Sequence, residues 1–522
     1  MRRLNLILGG GLLFCLFLTS SVSANNLSIT NVSFEDRDDS QNTAIVEFDV
    51  NWDNSWRNAE NHDAVWVFLK VTKSSAVYHG MMDESGINPT GTSYGSNGDL
   101  EIYVSPDLTG AFIRRKAQGT GTAQSKDVRL KLDYSASPLS AADTDTLTVQ
   151  VIGIEMVFVP TLAFRAGDGA STYTLKEGSS DTDPWSITSE ATISVTNATS
   201  NGFYYTSALN AGEDATGSTF TLLPTFPKGY QSFYCMKYEL TEGQWVDFIN
   251  TLTSTQQTNR DITSVTGKNS QGVVKRNTIT QSGSGTGAAA SARPNRAIIY
   301  LSWMDLCAYL DWAALRPMTE LEFEKVARGP LSPVAQEYAW GSTSSTEAVT
   351  ISMSPELGEE TITTAGANAA YNGTTFSLGD DFLGDANYAQ GPLRVGIFAT
   401  STSTRVTSGA GYYGVMELVG NAEERIVTIG NATGRAFTGL HGDGTVTTTA
   451  SYEGNDDVTN WPGTDGTPAR GVTGATGGGN KGSYWNQAPS RGRISDRQGA
   501  AATATGRSNA DGGRGVRTYT GP

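Results

Sequence analysis

Sulfur and imidazole are scarce in this chain. Its 522 residues include three cysteines and three histidines. Cys15 falls inside an apolar N-terminal stretch, which leaves Cys235 and Cys307. Neither has a histidine nearby in sequence, so no Cys–His nucleophile pair is signalled. His62, His79 and His441 are scattered, which excludes a histidine-rich metal centre read from local spacing. Two readings of the thiols stay open: a disulfide between Cys235 and Cys307 in an oxidising compartment, or two buried free thiols acting as small hydrophobes. Basic charge is also short, at a formal net of −16, and this argues against general binding to nucleic acid or anionic membranes. After the first two dozen residues no apolar run is long enough to span a bilayer.

Residues 1–24 read as a secretory signal peptide, so a secreted protein is expected, periplasmic, cell-surface or extracellular. Arg2-Arg3 supply the basic region, Leu6–Leu18 the apolar region, and Val22-Ser23-Ala24 the small residues before cleavage after about Ala24. Phe14 before Cys15 does not suit a lipoprotein cleavage box. With 59 glycines and much Ser, Thr and Asn, the rest has the composition of an extracellular, loop-rich β protein.

Residues 25–150 alternate as strands do. Ala44–Trp52 and Ala64–Val71 are half-buried β patterns, Val128–Leu132 and Leu147–Ile152 continue them, and turn clusters separate them. The expectation is an all-β immunoglobulin- or fibronectin-like sandwich. Trp52, Trp56, Trp66 and Tyr78 offer either a sugar-stacking face or core, and aromatics in strands favour core. A second domain, residues 151–522, follows with little or no linker. A helix is expected after Thr241, which can cap it, with Trp245, Phe248, Ile249 and Leu252 as its apolar stripe. Ser302 caps a second helix, and Thr319 precedes a third with Glu320 and Glu322 at its start. Residues 253–293 read as an exposed polar excursion, and residues 344–375 as a low-complexity insertion.

The segment Gly411–Arg425, GYYGVMELVGNAEER, carries the most chemistry. Gly420-Asn421 is a turn dipeptide, and Glu417 and Glu424 flank it. Those hard oxygen donors suit calcium better than a transition metal. The alternative is a helix end bearing two solvated acids.

This segment resembles the signature of the formylglycine-generating enzyme (sulfatase-modifying factor) family, which has a C-type-lectin-like fold. Other pieces similar to that family occur in order: MVFVPTLAFRAG at 156–167, YCMKYELTEGQWVDFIN at 234–250, LSWMDLCAYLDWAALRPMTELEFEKVARG within 297–329, Ala339-Trp340-Gly341, Gly482-Ser483-Tyr484 and Gly513–Arg517. The resemblance implies an α+β chain: the β-sandwich followed by a lectin-like domain with little regular secondary structure. It implies one structural calcium held by the Glu417 and Glu424 side chains and the Gly420 and Ala422 carbonyls. A first calcium site would use Asn387 and the Tyr388 carbonyl within Asp380–Pro392, but the acidic loop that completes it is not evident. Arg316 and Glu320 would form a partly buried polar lock.

Catalysis in the family requires two cysteine thiolates that bind copper just after the GGS-like segment. Here that segment, Gly482–Arg497, has no cysteine, and the expected positions fall at Asn486 and Arg491. Neither copper nor iron is therefore expected. The iron-dependent sulfoxide synthases of the same fold draw on a histidine site from another domain, which three scattered histidines do not supply. What the resemblance leaves is a recognition face of Trp485, Asn486, Gln487, Arg491, Arg493, Asp496 and Arg497, or else a polar loop over a core Trp485. The expectation is a secreted, non-catalytic, calcium-braced binding or adhesion module with a protein or glycan ligand at the cell surface, and a homo-oligomer is compatible with it. Two alternatives are a structural subunit of an extracellular or envelope assembly, and an enzyme of the same superfamily with divergent chemistry.

Overall fold

A computed structural model describes residues 26–83, 92–95, 99–207, 210, 212–285, 287–352, 360–373, 386–400 and 402–521. The expected signal segment lies outside these residues, as does Asp380–Asp385, the first half of the stretch read as a possible first calcium site. Among the described residues no helix is long and apolar enough to cross a membrane.

The first part of the chain is all β: β1 (Ser28–Asp38), β2 (Thr43–Arg57), β3 (Asp63–Lys73), β4 (Ala76–Met82), β5 (Leu100–Val104), β6 (Ala111–Arg115), β7 (Gly119–Asp133) and β8 (Leu147–Val159). In β2 the alternation is plain, with Val46, Phe48, Val50 and Trp52 buried and Glu47, Asp49 and Asn51 half-buried between them. The hydrogen-bonded order is β1-β2-β7-β4-β3-β8, with the β5–β6 hairpin paired onto β3. The path does not stop there. Beyond β8 it continues through the strands Phe233–Met236, Gly515–Thr518 and Arg316–Pro317, all antiparallel. One sheet thus runs from the N-terminal strands into the C-terminal part of the chain, and the immunoglobulin-like sandwich expected for 25–150 is not established by these pairings.

β3 explains how the two halves join. Asp63–Val71 is buried on both faces. Val65, Val67, Leu69 and Val71 enter the N-terminal core with Phe48 and Trp52. Ala64, Trp66 and Phe68 point the other way, into the large core that holds Trp245, Trp303 and Trp312. Each such large apolar side chain is worth roughly 1.5–3 kcal/mol when fully buried. Polar ties reinforce the join: the Trp66 Nε1–H donates to the Ala313 carbonyl at 2.9 Å, and the Lys70 Nζ donates to the carbonyls of Trp312 (2.7 Å) and Gly444 (2.6 Å).

The three expected helices form at Glu242–Thr251, Trp303–Trp312 and Glu320–Arg328. Each starts with a capping box, Thr241 with Gln244, Ser302 with Asp305 and Thr319 with Glu322. Residues 253–293 are not the exposed excursion expected. They include the helix Ser254–Arg260, and Gln257, Arg276 and Asn277 are fully buried. These polar groups are satisfied by backbone carbonyls, some near and some remote in sequence: Gln257 Nε2 donates to Ile249 at 2.9 Å and Arg276 Nε to Pro392 at 2.9 Å. Within 344–375, Ala348, Ile351, Ala367 and Ala370 pack with Leu393, Ile397 and Phe398 into a small separate core.

Candidate functional site

The turn in Gly411–Arg425 is locked by backbone geometry. Glu417, Gly420 and Asn421 all have positive φ. At Gly420 a Cβ would lie 2.1 Å from the Ala370 carbonyl oxygen, so only glycine fits. Both acids are interior, Glu417 at 4 % and Glu424 at 0 % exposure, which rules out a helix end with solvated carboxylates. Glu417 Oε1 accepts from the Gly396 N–H at 2.8 Å. Glu424 Oε1 accepts from Arg514 Nε at 2.6 Å, and Arg514 Nη2 also reaches the Met416 carbonyl at 2.8 Å. The second oxygen of each acid, Glu417 Oε2 and Glu424 Oε2, is buried without a hydrogen-bond partner.

A third carboxylate, which sequence reasoning missed, lies against the same turn. Glu239 accepts from the Ala422 N–H at 2.8 Å and from Asn421 Nδ2 at 2.5 Å, so it clamps the turn from the strand-to-helix connection before Thr241. Burial pushes the Glu417 carboxyl up to about 7. Burial also lifts Glu239 well above the usual carboxylate range, and Glu424 and Glu417 beside it add to the rise. Glu424 is raised by burial even though Arg514 opposes it. Three buried acids thus lie near one guanidinium, with two carboxylate oxygens left without a donor. The charged residues that follow the turn are absorbed into the fold. Arg425 is buried against Asp511 at 2.7 Å, and Glu423 accepts from Asn480 Nδ2 at 3.0 Å.

The other expected calcium site is only partly described. Asn387 lies in the short helix Ala386–Ala389, and its carbonyl accepts from the Arg276 N–H at 2.6 Å. Elsewhere, carboxylate oxygens of Asp311, Asp443 and Asp457 come within 4.8 Å of one another. Asp311 spends its two oxygens on the N–H groups of Asp443 (3.0 Å) and Asp457 (2.8 Å).

The Gly482–Arg497 loop corrects the expected recognition face. Trp485 is core, 3 % exposed, with its Nε1–H donated to the Asn509 carbonyl at 2.7 Å. Asp496 is buried and accepts from the Gln498 N–H at 2.9 Å. Arg497 is fully buried and donates to Glu320 at 2.7 and 3.2 Å. A guanidinium this deep is structural because it neutralises a buried carboxylate. Only Asn486 is exposed, and Gln487, Arg491 and Arg493 are half-buried. The expected lock between Arg316 and Glu320 is also re-partnered: Arg316 pairs with Glu322 at 2.6 Å, and Glu320 with Arg497.

Cys235 and Cys307 are free, buried thiols, which closes the disulfide alternative in this structure. Cys235 sits in the strand Phe233–Met236 and Cys307 on the helix Trp303–Trp312, in different hydrophobic cores. Burial pushes the Cys235 thiol up to about 12 and Cys307 well above its ordinary value, so neither is a thiolate at neutral pH. All three histidines are structural joints, His62 and His79 buried and His441 half-buried. His62 Nε2 meets the Tyr234 hydroxyl at 2.8 Å, His79 Nε2 meets the Thr109 carbonyl at 2.7 Å, and His441 Nε2 accepts from the Thr518 N–H at 2.9 Å.

A family model described as a sulfatase-modifying factor enzyme 1-like domain matches residues 196–517. The chain belongs to this family. It is similar over short stretches to curated relatives named formylglycine-generating enzyme. One, from Thermomonospora curvata, is 41 % identical over 58 residues, covering 11 % of this chain and 18 % of the relative. The other, from Streptomyces coelicolor, is 45 % identical over 51 residues, covering 10 % and 16 %. The chain thus spans less than a fifth of the length of these relatives. Its strand-rich, helix-poor architecture is consistent with a formylglycine-generating-enzyme-like fold. The N-terminal strands lie outside the matched residues, yet they are hydrogen-bonded into the same sheet.

The copper chemistry implied by the sequence resemblance is not matched by the donors in the loop. Asn486 and Arg491 offer no soft ligand, and Cys235 and Cys307 are enclosed in apolar cores. Of the calcium set expected from the sequence, Glu417 and Glu424 would bind through their orphaned oxygens, which are hard donors that suit the ion. Glu239 lies beside them, but the three carboxylates do not all come within 4.8 Å of one another.

Proposed function

We propose that this chain is a non-catalytic member of the sulfatase-modifying factor family that works as a secreted, calcium-braced binding module. The observation that carries the reading is the loop 482–497, which has Asn486 and Arg491 where a copper-dependent member needs thiolates. The burial of Cys235 and Cys307, with their raised pKa values, supports it. The three-acid turn supports a calcium brace, because a divalent cation there offsets charge that Arg514 alone does not. The secretory character of residues 1–24 supports a ligand met outside the cytoplasm. On this reading the family scaffold has kept its frame and lost its redox centre, as binding needs only a rigid surface.

The test is a copper(I) titration of the purified mature chain against a chromophoric chelator, under anaerobic, reducing conditions. The reading expects no transfer of copper(I) to the protein. Stoichiometric uptake of copper(I) by the native chain would mean a soft ligand set that the loop 482–497 does not supply and would overturn it.

A further inference from the structure

Three adjacent strands bring three ionisable side chains onto one face of the sheet. β3 opens with Asp63, β8 pairs beside it and carries Glu155, and Lys237 follows the strand Phe233–Met236 on the far side of β8. The register sets Asp63 opposite Val157 and Glu155 opposite Val65, and the Lys237 N–H donates to the Glu155 carbonyl at 2.9 Å. Residues opposite one another, or two apart along a strand, share a face, so the three side chains meet. Lys237 Nζ stands 3.1 Å from Glu155 Oε2 and 3.4 Å from Asp63 Oδ2. We propose that Lys237 Nζ condenses with the Asp63 carboxyl into an intramolecular amide cross-link, with Glu155 relaying the protons.

The site is dry and pre-arranged. Lys237, Glu155 and Asp63 are 4 %, 5 % and 0 % exposed, and the Trp56 and Tyr238 rings lie 5.0 and 5.5 Å from Nζ. An amine held at about 3–3.5 Å from an acyl group has the near-attack geometry of acyl transfer. Asp63 is the acid set up as electrophile. Its Oδ1 accepts from the Ser55 hydroxyl at 2.8 Å and the Trp56 N–H at 3.0 Å, two donors that hold the charge of a tetrahedral intermediate. Its Oδ2, on the lysine side, accepts from Trp52 Nε1 at 3.2 Å. Burial raises the Asp63 carboxyl against the pull of Lys237, which favours the protonated acid. Burial opposes the Lys237 charge, but Tyr238, Glu155 and Asp63 outweigh it and raise the group. The amine is therefore nucleophilic only while a carboxylate holds its proton.

The step balances without any added reagent. Lys237 passes one proton to Asp63 Oδ2, and the freed nitrogen pair attacks Cγ. Glu155 takes a second proton from the nitrogen as the C–N bond forms. It returns that proton to Oδ2, which leaves as water when the C–Oδ2 bond breaks. Glu155 ends as it began, a carboxylate. The product replaces a buried ammonium and carboxylate by a neutral amide, which removes the cost of keeping both charges out of water. Asp63 and Lys237 are 174 residues apart, so the bond closes a long loop and restricts the unfolded chain as a disulfide does. It also ties β3, outside the family match, to a residue within it.

The test is mass spectrometry of the purified, folded chain after denaturation. The intact mass should fall one water below that of the sequence. A tryptic map should contain a branched peptide that joins Asp63 to Lys237, with no cleavage after Lys237. Asp63→Asn keeps the shape of the side chain and should link with loss of ammonia in place of water. Unlinked chain recovered unfolded from inclusion bodies gives the rate: on refolding, Glu155→Gln should form the link about a hundredfold more slowly than the wild type. An unchanged rate in that variant overturns the relay. A branch from Lys237 to Glu155 overturns the choice of acyl group. The full sequence mass in the folded wild type, with tryptic cleavage after Lys237, overturns the cross-link and leaves a buried ion pair.

Discussion

Replacing Arg497 with alanine should destabilise the protein strongly, although the residue lies in a polar loop that reads as surface. Its guanidinium donates to Glu320 twice (2.7 and 3.2 Å) and to the Thr206 carbonyl at 2.8 Å, stands 3.6 Å from Glu213, and lies 5.0 Å from the Tyr205 ring centre. In the variant Glu320 keeps only the Thr428 hydroxyl (3.0 Å) and the Ile429 N–H (2.6 Å). A buried carboxylate that loses its cation costs about 3–5 kcal/mol, against about 0.5 kcal/mol or less for an exposed arginine. Urea unfolding followed by tryptophan fluorescence reads the difference, at pH 7 and constant slope. Adding Glu320→Gln should recover part of the loss, because the uncompensated charge goes with it. The pH dependence has a definite sign. Burial raises the Glu320 carboxyl, but Arg497 outweighs it and holds the group below its ordinary 4.5. The pair therefore stabilises fully above pH 4.5 and loses its contribution as pH falls through the lower folded value. The gap between wild type and Arg497→Ala should narrow in acid. A shift within about 0.5 kcal/mol at pH 7 would refute the burial of this pair.

Three more outcomes are expected. Calcium at a hundredfold excess over its Kd should stabilise the mature chain by about 2.7 kcal/mol, EGTA should reverse the shift in melting temperature, and Glu417→Gln should abolish both responses. Asp456 is fully buried with Oδ2 unpartnered, and burial pushes its carboxyl from 3.8 to about 7, with Asp457 adding to the rise against the Val472 N–H. The proton it holds stabilises the fold below pH 3.8, and that contribution is lost as pH rises to about 7. Asp456→Asn should thus match wild type near pH 4 and exceed it by up to about 4 kcal/mol at pH 8 in urea titrations. Cys235 and Cys307 should resist a thiol-specific chromogenic disulfide reagent in the native state and both react after unfolding without reductant; a missing pair of thiols would mean a disulfide.

The parts of this architecture that were legible in the sequence are local ones. Thr241 with Gln244, Ser302 with Asp305 and Thr319 with Glu322 announce helix starts because a capping box is complete within four residues. The alternation in β2 and β3 showed strands, but not that β3 divides two cores, since that depends on which sheets cover its faces. Glu239 and Arg497 were illegible for one physical reason. Their partners, Asn421 and Glu320, are 182 and 177 residues away, so composition cannot tell a solvated charge from a buried pair. The same holds for residues 253–293, whose polar side chains are interior only because backbone carbonyls, some of them remote, receive them. Trp56 looked like its neighbours in the strand pattern, and its exposure depends on where the loop 399–416 docks.

The central claim, a family frame without its redox chemistry, is tested most directly by turnover. The mature chain would be incubated with a cysteine-containing peptide, copper(I), oxygen and a thiol reductant, and the peptide followed by mass spectrometry. The account predicts that the cysteine is recovered unchanged over a blank without protein. Conversion of the peptide cysteine to an aldehyde, above that blank and proportional to the protein added, would contradict it.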